Sequence, residues 1–99
     1  MNSEWDAELP DWCTVQNIDS WNRKGRDFWS IEFLLLNTSI ERQVAVIKRL
    51  LLQGWSNVTF VRDVTDDVEQ CSLSVTTSIG WTLEDAGGKL RGAITEELR

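Results

Sequence analysis

Residues Val68 to Asp85 read VEQCSLSVTTSIGWTLED. They predict a strand, a tight turn and the start of a helix, and the rest of the chain is organised around these elements. Apolar residues alternate with Ser, Thr and Gln here, at Cys71, Leu73, Val75 and Ile79. A period of two predicts a strand with one apolar face and one solvated face. Gly80 ends the strand, and Thr82 with Asp85 predicts the capped start of a helix.

Two earlier strands are predicted to form a β-hairpin, over residues 12–21 and 26–36. The segment from Asn22 to Gly25 between them predicts a type I turn led by Asn22 and followed by a left-handed glycine. The second strand is apolar on both faces, with Trp29, Ile31, Phe33 and Leu35 on one and Phe28, Leu34 and Leu36 on the other. Such a strand is central in its sheet or lies under a partner chain. Together with three glycines in the last helix, it predicts a homodimer or a higher homo-oligomer.

Each hairpin is followed by a predicted helix. The first covers residues 39–53, begins at a capping box of Thr38 and Glu41, and ends at Gly54. Its apolar stripe, expected on the sheet, consists of Ile40, Val44, Ile47 and Leu51, with Leu50 beside them. The last helix runs from Leu83 to about Leu98, with a stripe of Leu83, Ala86, Leu90, Ile94 and Leu98. The glycines of that helix, Gly87, Gly88 and Gly92, predict a close approach to the sheet or to another helix.

A third strand at residues 58–64 and a turn at Thr65-Asp66-Asp67 complete the order strand, strand, helix, strand, strand, helix. This order predicts one α+β domain over residues 1–99, in which an antiparallel-rich four-stranded sheet carries both helices on one face. The helix between the hairpins predicts strands two and four as parallel neighbours. Residues 1–11 are expected to form an irregular or short helical leader.

Charge and composition argue against several classes of function. The net charge of −6 disfavours sequence-independent binding to phosphate backbones and anionic membranes. No apolar run has the length of a membrane span and no signal peptide opens the chain, which predicts a cytoplasmic protein. Cys13 and Cys71 are too few for a disulfide framework or a zinc site, and we expect buried free thiols.

The segment from Cys71 to Asp85, C-x-L-x-V-T-T-S-x-G-W-T-x-x-D, resembles the end of a pterin-4a-carbinolamine dehydratase domain. That family has an alternating strand, then Thr-His, then Gly-Leu-Thr-x-x-Asp opening the last helix. Here Thr77-Ser78 stands at Thr-His, and the segment from Gly80 stands at Gly-Leu-Thr. Residues 9–12 resemble the family's Leu-x-x-Trp entry to the first strand. The resemblance implies the ββαββα fold over roughly residues 9–98.

The resemblance also implies where chemistry would take place. Active members have a His-His-Pro run near the end of the first helix, and with the later Thr-His pair these histidines transfer protons as water leaves the hydroxylated pterin. This chain has no histidine; residues 54–62 stand at the first position and Ser78 at the second. A serine does not titrate near neutral pH, as such a proton shuttle must. Asp85 stands at the family's aspartate, but its role as a helix-capping residue explains it sufficiently.

Other catalytic and metal-binding patterns are also missing from the sequence. Serine and cysteine nucleophiles lack a histidine base, and a zinc site lacks ligands. The acidic turn from Asp63 to Glu69 has oxygen ligands that suit calcium but not the spacing of an EF-hand, so a solvated turn is the simpler interpretation. We therefore expect no metal and no cofactor.

Tryptophan remains as the candidate for function, because the chain has six. The expected core members are Trp12, Trp29 and Trp55. We expect Trp5, Trp21 and Trp81 at a partner-binding surface, since tryptophan is enriched at binding hot spots. The resemblance puts Trp81 where the family has leucine, at the mouth of the former pocket.

The missing histidines favour a non-enzymatic, dehydratase-like binding protein that acts as an assembly factor or chaperone for a larger enzyme complex. A branch of dehydratase-like proteins encoded with carboxysome genes assists the assembly of Rubisco, which implies Rubisco as a candidate partner. The alternative is a divergent 4a-hydroxytetrahydrobiopterin dehydratase that uses Asp85 or Asp63. An acidic mimic of nucleic acid fits the charge but leaves the motif unexplained.

Overall fold

Two β-hairpins alternate with two helices in the part of the chain that the structure describes. The computed structural model describes residues 9–65 and 68–95, and of residues 63–65, 68 and 69 the backbone alone. The elements are β1 (Cys13–Arg23), β2 (Arg26–Leu36), α1 (Ile40–Leu52), β3 (Asn57–Thr65), β4 (Val68–Thr76) and α2 (Leu83–Thr95). The predicted ββαββα order of an α+β fold is confirmed.

The strands form one sheet in the order β1-β2-β4-β3, and each neighbouring pair is antiparallel. The prediction that β2 and β4 are neighbours is confirmed, but the prediction that they run parallel is wrong. Helix α1 returns the chain to the end of the sheet at which β2 starts, so β3 runs parallel to β2. The chain then reverses into β4, which lies between them and is antiparallel to both.

Lys24 and Gly25 form the two-residue turn of the first hairpin. Arg23 pairs with Arg26 across the turn, and both turn residues have positive φ angles, of 52° and 79°. These angles belong to a type I′ turn and not to the predicted type I, because a two-residue turn must match the right-handed twist of its strands. Asn22 supports the turn by accepting a hydrogen bond from the N–H of Gly25 at 3.2 Å.

The core lies between one face of the sheet and both helices. Its buried members include Ile31, Phe33 and Leu35 of β2, Leu73 and Val75 of β4, Val46 and Leu50 of α1, and Ala86, Leu90, Ala93 and Ile94 of α2. Both helices therefore cover the same face, as predicted. Cys13 and Cys71 are both buried and neither forms a disulfide, also as predicted. Both pair with Leu35 from opposite sides, and two strand spacings of about 4.8 Å separate them too widely for a disulfide.

The predicted alternation of β4 stops early. The strand ends at Thr76, and Ile79, which the pattern predicts on the apolar face, is 62% exposed. Thr77 takes the buried place instead. Its N–H donates to the carbonyl of Trp29 at 3.0 Å, and its hydroxyl accepts from the N–H of Trp29 at 3.1 Å. These bonds satisfy the buried threonine, and the chain leaves the sheet before Ile79.

Helix α1 buries a different face from the predicted one. Its buried residues are Gln43, Val46 and Leu50. In the predicted stripe, Ile40, Val44 and Leu51 are exposed and Ile47 is half-buried. At 3.6 residues per turn, the two faces are centred roughly 100° apart around the helix axis. Helix α1 therefore has two apolar faces, and the one beside Gln43 lies on the sheet.

Gln43 is buried because its amide is fully paired. Its Nε2 donates to the hydroxyl of Thr38 at 3.0 Å and to the carbonyl of Thr38 at 3.2 Å. Its Oε1 accepts from Nε of Arg62 on β3 at 2.9 Å. A buried amide with these partners avoids the cost of unsatisfied polar groups.

The first helix is capped by Ser39 and not by the predicted box of Thr38 and Glu41. The hydroxyl of Ser39 accepts from the N–H of Arg42 at 3.1 Å. Thr38 is buried, and its hydroxyl is occupied by Gln43. The predicted stop at Gly54 is confirmed by its φ of 89°.

Helix α2 begins at the predicted capping box. The N–H of Thr82 donates to the carboxylate of Asp85 at 3.1 Å, and the N–H of Asp85 donates to the hydroxyl of Thr82 at 3.0 Å. The predicted stripe is confirmed at its buried members Ala86, Leu90 and Ile94, while Leu98 lies outside the described residues. Close approach does not explain Gly88 and Gly92, since a Cβ at either would have its nearest neighbour at 3.8 Å or beyond.

Residues 9–12 lead into β1 through a turn. The N–H of Cys13 donates to the carbonyl of Pro10 at 3.0 Å, and Leu9 and Trp12 pack against the core. Residues 1–8 of the predicted leader lie outside the described residues. No described helix combines the length and the apolar composition needed to cross a membrane.

Candidate functional site

An open cleft lies where the tip of the first hairpin meets the chain between β4 and α2. Its volume is about 630 Å³. It is lined by Trp21, Arg23, Phe28, Ser56, Thr76, Ser78 and Ile79, and we call it the end cleft. The structure thus brings together two residues that the sequence analysis singles out, Trp21 and Ser78.

The aromatic wall of the end cleft comes from the β1–β2 hairpin. The strand register puts Trp21 opposite Phe28, and their rings stack with centroids 5.9 Å apart at an angle of 18°. Phe28 is three residues from the buried Ile31, so the alternation of β2 places both rings on the sheet face away from the helices. Trp21 remains 42% exposed. The wall therefore offers an apolar surface to a binding partner.

Hydroxyl groups form the polar side of the end cleft. Ser56 donates to the carbonyl of Thr77 at 2.9 Å, and Ser78 donates to the carbonyl of Gly54. Both hydroxyls are therefore engaged by backbone groups. Arg23 is the one charged side chain among the described lining residues. That lining contains no group whose ordinary pKa lies near neutral, so it supplies no general acid or base.

Trp81 packs at the side of the core and does not line the end cleft. Its ring meets Trp55 edge to face, with centroids 5.0 Å apart at 75°. The ammonium group of Lys89 lies 4.8 Å from the ring centroid of Trp81, and Gly54 lies beside the same ring. Trp81 is half-buried, so it closes one side of the core and keeps part of its surface exposed.

Asp85 acts as a helix cap in this structure. Hydrogen bonds from the backbone N–H of Thr82, and then from its side chain, hold the pKa of Asp85 below its ordinary value, with a smaller contribution from Lys89. A carboxylate that ionises more readily is a weaker proton acceptor near neutral pH. Asp85 is not among the lining residues of the end cleft, so it does not share that cleft with Ser78.

Two of the predictions from the sequence fall on parts of the chain that the structure leaves out. Trp5 and the side chains of the acidic turn from Asp63 to Glu69 lie outside what it describes. Among the described residues, no group of three or more His, Cys, Asp or Glu side chains is placed to hold a metal ion.

Helix α1 carries an exposed apolar row that the sequence analysis assigns to the core. Its members are Ile40, Val44, Ile47 and Leu51, and we call them the outer row. Leu51 is 59% exposed. The spacing of four, three and four residues keeps these side chains on one side of the helix. The helical spacing of these four apolar residues is visible in the sequence. That the outer row is exposed follows only from the structure, in which the Gln43 face of α1 is the buried one.

Comparison of this chain with models of known protein families, with curated protein sequences and with solved structures finds no match. Assignment of a function therefore depends on the residues quoted from the sequence and on the geometry of the end cleft and the outer row.

Proposed function

We propose that this chain is a non-enzymatic, pterin dehydratase-like binding protein that acts as an assembly factor or chaperone for a larger enzyme complex. The end cleft carries this proposal. It contains Ser78, which by the resemblance stands where the family has a catalytic histidine, and Trp21, Phe28 and Ile79 give the same cleft an aromatic and aliphatic part. Trp21 and Ile79 are exposed there, and exposed tryptophan beside aliphatic surface is typical of protein-binding hot spots.

The partner that fits the end cleft is a protein that presents an apolar side chain with a carboxylate beside it. Trp21, Phe28 and Ile79 would contact the apolar group. Arg23 lines the same cleft and would pair with the carboxylate. The resemblance alone supplies the named candidate, Rubisco in the carboxysome. A cytoplasmic location and assembly into a homodimer or a higher homo-oligomer belong to the same proposal.

Binding of purified Rubisco to the immobilised chain tests the partner and the surface together. Truncation of a hot-spot residue costs about 2 kcal/mol of binding free energy or more, which is about 30-fold in Kd. We expect this loss for Trp21→Ala and for Ile79→Ser. Val61→Ser is the matched control, because Val61 is an exposed apolar residue that does not line the end cleft. Failure of the natural chain to bind would remove Rubisco as the partner, and equal binding by all variants would remove the end cleft as the surface.

A turnover assay on the 4a-hydroxylated tetrahydropterin tests the alternative function. The described lining of the end cleft offers no proton-transferring group near neutral pH. We therefore expect rates at the uncatalysed background at pH 7. Turnover well above background would show that the chain is a divergent dehydratase.

Trp81→Ala separates packing from partner contact. Because the ring of Trp81 packs on Trp55, we expect its removal to cost about 3 kcal/mol of unfolding free energy. Partner affinity, measured on the folded protein, should fall much less than for Trp21→Ala. A 30-fold loss of affinity with unchanged thermal stability would instead place Trp81 in the partner surface.

A further inference from the structure

The outer row has the spacing of residues that pack one helix against another. Ile40, Val44, Ile47 and Leu51 occupy successive d and a positions of two heptads. Single exposed apolar residues are ordinary on a protein surface, but a contiguous apolar row marks an interaction site. Helix α1 already covers the sheet with its other apolar face, so the outer row is available to a further helix.

The apolar surface continues from the outer row onto β3. Phe60 is exposed and pairs with the buried Leu73, so it lies on the sheet face that the helices cover. The Gln43–Arg62 hydrogen bond fixes α1 beside β3. Helix α1 and β3 run in opposite directions. One helical turn after Gln43 is Ile47, and this rise is close to that of the two strand residues from Arg62 back to Phe60, so Ile47 lies level with Phe60. Phe60 therefore extends the apolar surface next to Ile47.

The charges beside the outer row are complementary to those of a second, reversed copy. Glu41 and Lys48 are exposed and lie on the same flank, at equivalent heptad positions near opposite ends of the row. A two-fold axis perpendicular to the helix, through the centre of the row, exchanges Ile40 with Leu51. It brings Glu41 of each copy close to Lys48 of the other, which gives two symmetric pairs. In a parallel two-fold pair this flank would instead face the opposite flank of the other copy, so Glu41 would not meet Lys48. The opposite flank, which contains Gln43 and Leu50, is buried in the core.

We propose that the outer row binds the outer row of a second copy of this chain, as an antiparallel pair of α1 helices related by two-fold symmetry. This inference rests on the homo-oligomer included in the proposed function, and it names the surface through which the copies associate. The aromatic wall of the end cleft lies on the sheet face away from the helices, so it stays exposed in such a dimer. A helix of this length spans about 20 Å. A single helix face of this length is smaller than a standard interface, which buries about 800 Å² on each partner. We therefore expect a weak, reversible dimer that dissociates on dilution.

Sedimentation velocity over a range of protein concentrations tests the surface. We expect the natural chain to dimerise, and Val44→Glu to raise the Kd at least tenfold by placing two carboxylates in the apolar seam. Leu51→Ser is a second variant that gives the same readout should Val44→Glu fail to fold. Val61→Glu is the matched control, since it puts the same charge at an exposed residue of β3 outside the row, and we expect no change in Kd.

Charge reversal tests the antiparallel orientation. We expect Glu41→Lys alone and Lys48→Glu alone each to weaken the dimer on the order of tenfold at low salt, and the double variant to restore it. A monomer at all concentrations would overturn both the self-association and its surface. A dimer that Val44→Glu leaves intact would overturn the surface while the self-association stands. A double reversal that fails to restore the dimer would overturn the antiparallel pairing.

Discussion

Helices α1 and α2 both have 13 residues and both pack on the same face of the sheet, but they use their apolar residues differently. Helix α2 rests on the sheet through Ala86, Leu90 and Ile94, the stripe that its sequence predicts. Helix α1 rests on it through the face that contains Gln43 and leaves most of its predicted stripe exposed. Apolar periodicity thus locates a helix, but it does not choose between two apolar faces. In α1, the hydrogen bonds that the side-chain amide of Gln43 makes to Thr38 and Arg62 explain why its face is the one that packs on the sheet.

The strongest contrast is between two adjacent leucines of α1. Leu50 is fully buried and Leu51 is 59% exposed. We expect Leu50→Ala to lower the unfolding free energy by about 3 kcal/mol, through lost burial and the cavity left behind. Leu51→Ala should change it by less than about 0.5 kcal/mol at protein concentrations low enough to keep the chain monomeric. Urea denaturation of both variants measures the difference, and equal losses would show that the faces of α1 are assigned wrongly.

The next effect concerns the amide of Gln43. Replacement by leucine keeps an apolar side chain of similar size but leaves the buried hydroxyl and carbonyl of Thr38 without their donor. We expect Gln43→Leu to cost about 2 kcal/mol of unfolding free energy. Lys48→Leu, on the exposed side of the same helix, is the control and should be nearly neutral at protein concentrations low enough to keep the chain monomeric. Greater stability of Gln43→Leu would mean that the amide does not determine which face of α1 is buried.

The helix caps give a smaller effect that differs in its pH dependence. We expect Thr82→Ala at α2 and Ser39→Ala at α1 each to cost about 1 kcal/mol. Asp85 of the α2 cap has a pKa lowered from 3.8, chiefly by its hydrogen bonds from Thr82. Its stabilising effect is therefore fully present above pH 3.8 and lost as the pH falls through the lower pKa of the folded state. The stability difference between the natural chain and Asp85→Asn should shrink in that acid range, and a difference that stays constant down to pH 2 would contradict this role.

The smallest effect is a gain in stability at Gly88 of α2. Beyond the local helix backbone, the nearest atom to a Cβ there would be the far end of the Arg91 side chain at 3.9 Å, so Gly88→Ala has room within the helix. We expect it to raise the unfolding free energy by roughly 0.5–1 kcal/mol, because alanine restricts the unfolded chain and favours helix. Gly25→Ala is the opposite control, since Gly25 has a φ of 79° that alanine adopts only with strain. A loss at Gly88 would show that this glycine serves a contact.

Sequence reasoning succeeded where one local pattern had one structural solution. The alternation in β2, the alternation in β4 as far as Val75, the capping box of Thr82 and Asp85, and the stop at Gly54 each correspond to an observed feature. These signals depend on neighbouring residues alone, so tertiary packing did not alter them.

Sequence reasoning was wrong where a distant residue decided the outcome. The cap of α1 moved to Ser39 because Thr38 pairs with Gln43, and Gln43 is satisfied only with Arg62 of β3 beside it. The end cleft likewise depends on the register that puts Trp21 near Ser78, residues that lie far apart in the chain. The outer row was visible as a stripe, but its exposure follows from the packing of the other face.

The concentration dependence of thermal unfolding tests most directly whether the outer row is an interaction surface. If folding is coupled to dimerisation through this row, the unfolding midpoint of the natural chain rises with protein concentration, because association stabilises the folded state by mass action. We expect this rise across a hundredfold range of concentration, and we expect Val44→Glu to abolish it while its midpoint at the lowest concentration stays near that of the natural chain. A midpoint of the natural chain that does not change with concentration would contradict the assignment.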